Sequence, residues 1–236
     1  MSVIKHLLWA GILTLMAGAC FKAPEFSIVP QIEYQSITFK PGGTGGFDSL
    51  ILVISFRDGD GDLGLSADET GCMSEDICYN SKFYFVKSDQ TFVTYKDKRT
   101  NPNFSDLPGF VKPYNCINWE VYRVNNVVQD TLYFELNPDH YNIEIDFLVK
   151  NTDGTFTEFD WTTEFDYPNC GLTYDGRFPI LYEDRSGSPL EGTIRYGMGS
   201  TGFRILFSLK TIKLRVQIKD RALHRSNIIE TPEFTL

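Results

Sequence analysis

Short segments in which apolar and polar residues alternate recur along most of the chain. Residues 32–39 alternate in this way, whereas residues 50–56 begin as a continuous apolar run, which is typical of a strand buried on both faces. Further segments rich in β-branched and aromatic residues are 82–87, 91–95, 131–136, 141–149, 155–161, 192–196, 203–209, 212–219 and 228–236. About eleven short segments without a convincing amphipathic helix predict an all-β fold, specifically an immunoglobulin-like β-sandwich.

Long stretches without this pattern separate some of the predicted strands. Residues 64–81, 97–118 and 166–191 are rich in proline or contain cysteine, and we interpret them as loop insertions pinned by disulfides. Asp153-Gly154 is a good hairpin turn. We expect residues 28–236 to form a single elaborated domain; two subdomains joined near residue 125 are the alternative.

The N-terminus has the pattern of a bacterial lipoprotein signal. An apolar run at residues 7–16 follows Lys5 and is too short to span a membrane. Small residues then lead directly to Cys20, as in a lipobox, although Ala17 stands where Leu is usual. The pattern predicts a signal peptide at residues 1–19, a lipid on Cys20 and a tether at residues 20–27. The alternative is an ordinary signal peptide cleaved beside an incidental cysteine.

Composition narrows the functional classes. The 236 residues include 31 acidic and 22 basic side chains, which gives a formal net charge of −9. An acidic chain without a basic stretch is poorly suited to bind nucleic acid. Aromatic residues make up 14% of the chain, which favours strands over helices. We therefore expect a membrane partner through the lipid anchor and no nucleic-acid partner.

Four cysteines remain once Cys20 is assigned to the anchor: Cys72, Cys78, Cys116 and Cys170. An even number outside the cytoplasm predicts disulfides. The most economical of the three pairings joins the first two cysteines and the last two. Free thiols or a metal site are the alternatives.

The strongest chemical signal follows the apolar run. Asp58, Asp60 and Asp62 alternate with glycines, and three such carboxylates repel one another unless a cation neutralises them. With Asp58 as position 1, Ser66 and Glu69 occupy positions 9 and 12, as in a calcium loop. The candidate calcium ligands are Asp58, Asp60, Asp62, Ser66, Asp68, Glu69 and Asp220. A bare acidic turn or another cation is the alternative, and the glycine usual at position 6 comes one residue later, at Gly64.

Asp220 opens a second motif, D-R-A-L-H-R-S-N, at residues 220–227. A similar turn links the last two strands of immunoglobulin-like bacterial repeats. One interpretation has Asp220 face the acidic loop and supply another oxygen; the alternative, more usual for such an aspartate, is that it caps its own turn. The lipobox, D-G-D-G-D-L-G-L and I-K-D-R-A-L-H-R-S-N-I-I-E-T together resemble a family of uncharacterised outer-membrane lipoproteins of Bacteroidota. The resemblance covers both ends of the mature chain and implies an outer-membrane location and a sandwich fold, but no activity.

No catalytic motif accompanies these features in the sequence. Our main hypothesis is a lipid-anchored, non-enzymatic structural or accessory subunit of an outer-membrane protein complex, on either membrane face. A glycan-binding lipoprotein of a nutrient-uptake system, with Trp119 and Trp161 stacking on sugar, is the second hypothesis. A hydrolase that uses carboxylate pairs such as Glu158 with Asp160, or Glu164 with Asp166, is the third.

Overall fold

The computed structural model describes residues 25–43, 46–110, 117–161, 173–181 and 187–236. The strands in these ranges are β1 (Gln31–Lys40), β2 (Asp48–Asp58), β3 (Lys82–Tyr84), β4 (Trp119–Val124), β5 (Val127–Leu136), β6 (Ile143–Lys150), β7 (Phe156–Glu158), β8 (Leu190–Ser200), β9 (Ile212–Ile218) and β10 (Ile229–Glu230). Two short helices, α1 (Tyr95–Thr100) and α2 (Phe203–Phe207), and a 3-10 turn at Pro102–Phe104 complete the secondary structure of these ranges.

The strands form three antiparallel sheets. The first sheet has the order β1-β2-β8, the second β10-β9-β6-β7 and the third β3-β5-β4. Buried side chains from the first and second sheets form one continuous apolar cluster, so these two sheets pack against each other. The all-β prediction is confirmed. An immunoglobulin-like strand arrangement stays a prediction.

Strand β2 occupies the centre of the first sheet, which explains its apolar sequence. It pairs with β1 on one side and with β8 along its whole length on the other. Leu50, Leu52 and Ile54 have no exposed surface and face the core. Ile51 and Val53 point to the opposite face, where they are less completely buried. The strand ends at Asp58, whose side chain is also fully buried.

An aromatic cluster joins the second sheet to α2. Phe147 of β6 stacks on Phe203 and Phe207, with ring centroids 5.8 and 5.5 Å apart. The sequence-based assignment of residues 203–209 to a strand is therefore wrong. Apolar residues at every second position are also four residues apart, so Phe203 and Phe207 share one helix face. Ile205 and Leu209 are exposed as a result.

Other assignments need smaller corrections. The predicted strand at residues 91–95 ends in α1, because Thr94 and Asp97 form a capping box at its start. The strand predicted at residues 192–196 is longer in the structure, because the glycine-rich residues 197–200 continue β8 opposite residues 48–51. The Asp153-Gly154 turn between β6 and β7 is present, with Gly154 in the left-handed region at a φ of 86°.

The long region between β2 and β6 contains more structure than loops. The third sheet lies in this region and has its own small core of Val93, Trp119 and Tyr133. Nearby, a disulfide joins Cys72 to Cys78, which confirms that predicted pairing. Cys116 and Cys170, like Cys20 and the signal peptide, lie outside the described residues.

Truncation of Phe147 is the sharpest test of this core. Phe147 has no exposed surface and contacts four other aromatic rings, so Phe147→Ala is expected to lower the free energy of unfolding by about 3–5 kcal/mol. Urea unfolding followed by circular dichroism measures the loss. Leu209, which is 98% exposed, provides the control: Leu209→Ala should change the stability by less than about 0.5 kcal/mol. Equal effects of the two variants would contradict the assigned core.

Candidate cation site

A carboxylate cluster lies where two chain segments from different sheets meet. The first segment, called the acid loop, comprises residues 58–69 and follows β2 of the first sheet. The second, called the C-terminal turn, comprises residues 219–228 and joins β9 to β10 of the second sheet. The amide of Arg221 in the turn donates to the carbonyl of Asp62 in the loop, at 3.3 Å. The cluster therefore connects the two sheets.

Three carboxylates converge at this junction. One oxygen from each of Asp58, Asp62 and Asp220 lies within 4.8 Å of the others. Asp58 and Asp220 are buried, with 0% and 1% of their surface exposed. The Oδ1 atoms of Asp58, Asp60 and Asp62 are buried without a hydrogen-bond partner. Since buried carboxylate oxygens are costly without a partner, this arrangement points to a ligand at the cluster.

The hydrogen bonds that the cluster does make hold its shape. The amide of Asp62 donates to Oδ2 of Asp58 at 3.1 Å, which curls the acid loop. Asp220 accepts from the amide of His224 at 2.8 Å and contacts its Nδ1 at the same distance. Gly61 adopts a φ of 67°, in the region that favours glycine. The backbone thus positions the carboxylates, while the Oδ1 atoms of Asp58, Asp60 and Asp62 remain without a hydrogen bond.

The electrostatics of the cluster are unfavourable for three ionised carboxylates. Burial, followed by repulsion from Asp60 and Asp62, raises the pKa of Asp58 to about 7. Burial, followed by repulsion from Asp220 and Asp60, raises the pKa of Asp62 to about 6. Burial also raises the pKa of Asp220, while the hydrogen bond with Asp220 raises the pKa of His224. A bound divalent cation would supply positive charge that offsets the repulsion among these carboxylates.

The donor set fits a hard cation. All of the converging atoms are carboxylate oxygens, the ligands that Ca²⁺ and Mg²⁺ prefer over the nitrogen and sulfur ligands typical of zinc. Asp58, Asp62 and Asp220 could hold the ion directly, and the unpartnered Oδ1 of Asp60 is the next candidate. Nearby Glu69 binds Arg221 instead.

The structure separates the second half of the acid loop from the cluster. Glu69 accepts from Nη1 of Arg221 at 2.8 Å and from the amide of Ser66 at 2.7 Å. Asp68 is exposed and accepts from the Ser66 hydroxyl. Ser66, Asp68 and Glu69 therefore lie outside the carboxylate cluster, although all three were candidate ligands and loop numbering placed Ser66 and Glu69 at ligand positions. Asp220 takes part instead, from a strand-to-strand turn rather than from a following helix.

Arg177 was not anticipated from the sequence. Its guanidinium donates to the carbonyls of His140 at 2.6 Å, of Glu69 at 2.7 Å and of Tyr79 at 2.6 Å. It thereby fixes the end of the acid loop beside the segment that follows the Cys72–Cys78 disulfide. A lone arginine in a loop carries no sequence signal for such a role.

The two candidate sugar-stacking tryptophans are core residues. Trp119 is 1% exposed and packs on Tyr95 and Tyr133, while its Nε1 donates to the carbonyl of Pro108 at 3.0 Å. Trp161 is 8% exposed and packs edge-on against Phe147. Neither ring offers an open face for a sugar. Of the candidate carboxylate pairs, Glu158 lies 3.7 Å from Arg215, and residues 164 and 166 lie outside the described ranges.

Comparisons with known proteins add no relative to this picture. No protein-family model, no curated protein and no solved structure matches the chain. Within the described ranges, no helix is both long enough and apolar enough to cross a membrane.

The raised carboxyl pKa values generate a pH dependence. Because the folded pKa values of Asp58 and Asp62 lie above the ordinary 3.8, the folded state binds more protons than the unfolded state between about pH 4 and 7. The resulting stability is complete below about pH 4 and is lost as the pH rises through about 7. In a chelator, the free energy of unfolding from urea titrations should therefore fall across this range.

Asp58→Asn removes the group with the highest of these pKa values and serves as the comparison. It should flatten the fall in stability, whereas Asp68→Asn, on the exposed part of the same loop, should leave it unchanged. An unaltered slope in Asp58→Asn would show that the cluster does not control the pH dependence.

Proposed function

We propose that this chain is a lipid-anchored lipoprotein of the outer membrane, a non-enzymatic structural or accessory subunit of a protein assembly, whose β-sandwich is stabilised by Ca²⁺. The observation that carries the proposal is the convergence of Asp58, Asp62 and Asp220, with buried carboxylate oxygens that lack a partner. A cation here joins the ends of β2 and β9, and thus the two packed sheets. Its effect is mechanical rather than catalytic.

The burial of the site and its carboxylate ligands favour calcium over magnesium. Calcium accepts six to eight oxygen ligands in flexible geometry, whereas magnesium keeps several of its waters. The cluster is largely buried and is formed by side chains from two separate segments, which suits an ion that exchanges its water for carboxylates. An extracytoplasmic location supplies millimolar calcium, so that modest affinity is sufficient.

The envelope location and the accessory role are supported by the sequence. The apolar run followed by small residues and Cys20 supports the lipid anchor. The resemblance of the chain's motifs to those of outer-membrane lipoproteins supports the outer-membrane location. Burial of Trp119 and Trp161 removes the feature on which the glycan-binding alternative depended. A role in assembly agrees with a site built to stiffen the sandwich.

Calcium is expected to stabilise the protein measurably. At a hundredfold excess over the dissociation constant, binding adds about 2.7 kcal/mol, which corresponds to roughly 5–10 °C in melting temperature for a domain of this size. Differential scanning fluorimetry with calcium, with magnesium and with chelator measures the shift. Magnesium should give a smaller shift in melting temperature than calcium.

Matched variants identify the ligands. Asp58→Asn and Asp62→Asn should each abolish most of the calcium-dependent shift, because each removes a charged oxygen donor from the cluster. Asp68→Asn makes the same change in charge on the same loop and should keep the shift. An unchanged melting temperature of the wild type at saturating calcium would refute the calcium site.

Replacement of the anchor cysteine tests location and assembly together. Cys20→Ser should move the protein from the membrane fraction to the soluble fraction, since no other lipid attachment is expected. Wild-type protein isolated from native membranes in mild detergent should retain specific partner subunits in quantitative mass spectrometry. Membrane retention of the variant would argue against the anchor, and isolation of the wild type without any partner would argue against the accessory role.

A further inference from the structure

The place where the chain enters β1 packs against both halves of the cation site. Residues 26–32, called the N-terminal segment, comprise the chain before β1 and the first two residues of β1. Phe26 and Ser27 lie directly over Gly59, between two of the acid-loop aspartates. A Cβ atom at position 59 would lie 2.5 Å from the carbonyl oxygen of Phe26 and 2.8 Å from the carbonyl carbon of Ser27. Only a residue without a side chain permits this approach. The first contact of the segment is thus with the acid loop.

The second contact is with the C-terminal turn. The side chain of Asn227 accepts from the amide of Ile32 at 2.8 Å and donates to its carbonyl at 2.9 Å. Asn227 therefore pairs with Ile32 as a neighbouring strand would. Ile32 and Pro30 are buried, whereas Glu25, Ser27 and Ile28 are exposed. The segment is attached at the same two places that the carboxylate cluster joins.

From this juxtaposition we infer that the cation site also fixes the point at which the N-terminal segment leaves the β-sandwich. The inference rests on the proposed cation and lipid anchor. Asp58 and Asp220 lie one residue from Gly59 and seven residues from Asn227, respectively. A cation shared by these carboxylates holds the acid loop and the C-terminal turn together, and the segment docks on both. Loss of the cation loosens these contacts and releases residues 26–30, as far as the start of β1.

The consequence is a change in the distance that the N-terminal chain can span between the lipid anchor and the sandwich. Cys20 lies six residues before Phe26, and this stretch spans at most about 20 Å when fully extended. Release as far as Gln31, where β1 begins, lengthens the free stretch to about eleven residues and extends the limit to about 36 Å. Cation binding thus sets how far the sandwich can stand from its lipid anchor, which matters for a subunit that must meet partners at a fixed height.

Hydrogen exchange measured by mass spectrometry tests the inference on the whole chain, purified in mild detergent. Peptides that cover residues 25–34 should exchange at least about tenfold faster in chelator than in saturating calcium. Peptides from the Phe147 core should change far less. Calcium binding is measured in parallel by the shift in melting temperature.

Asn227→Ala separates docking from cation binding. It removes both hydrogen bonds to Ile32 and should give fast exchange at residues 25–34 even in calcium, while the calcium-dependent melting shift persists. Gly59→Ala should also give fast exchange there through its clash with Phe26, and Gly71→Ala, which has open space around it, is the control for exchange. Because Gly59 lies between two candidate ligands, the melting shift is not compared in that variant.

The outcomes distinguish the two proposals. If calcium produces no melting shift, the proposed cation site fails, and this inference fails with it. If calcium shifts the melting temperature but exchange at residues 25–34 is the same with and without it, only the inference is overturned. Slow exchange in Asn227→Ala with calcium would likewise overturn the docking role of Asn227.

Discussion

Repulsion among buried carboxylates is the constraint on which this structure depends. Asp58 and Asp220 are held almost without solvent contact by the ends of two strands that belong to different sheets. Their positions follow from the strands, because β2 is paired on both sides and β9 is paired with β6 along its whole length. The carboxylates cannot move apart without disturbing those strands. Charge at this junction is therefore coupled to the packing of the two sheets.

Several features around the cluster agree with that coupling. The acid loop is tied to the C-terminal turn by the Arg221–Glu69 ion pair and by the Arg221 amide. The same turn holds Ile32 through Asn227, and Tyr79 donates its hydroxyl to the carbonyl of Arg221. Three distant parts of the sequence thus meet at one place. These contacts join the elements that surround the carboxylates, and the unfavourable energy lies in the repulsion among the carboxylates themselves.

Sequence patterns identified much of this arrangement but not all of it. The apolar run of β2 and the D-G-D-G-D motif located the start of the acid loop, because alternating carboxylates after a buried strand are unusual. The motif at residues 220–227 pointed to Asp220. Loop numbering misplaced Glu69, since nothing local indicated that Arg221 would bind it. The strand assigned at residues 203–209 failed because spacings of two and four residues coincide in a short segment. Burial of Trp119 and Trp161 depends on tertiary packing, which periodicity does not report.

Arg177 has a consequence of its own. Its guanidinium joins the end of the acid loop to Tyr79 and His140 through backbone carbonyls, and a guanidinium stays charged at every physiological pH. One end of the acid loop is therefore closed by a covalently attached cation that never dissociates. The other end presents carboxylates that the proposed cation would hold together. The loop therefore has one permanent attachment and one that would depend on the ions around the protein, so that a change in those ions would alter one end of the loop and leave the other end attached.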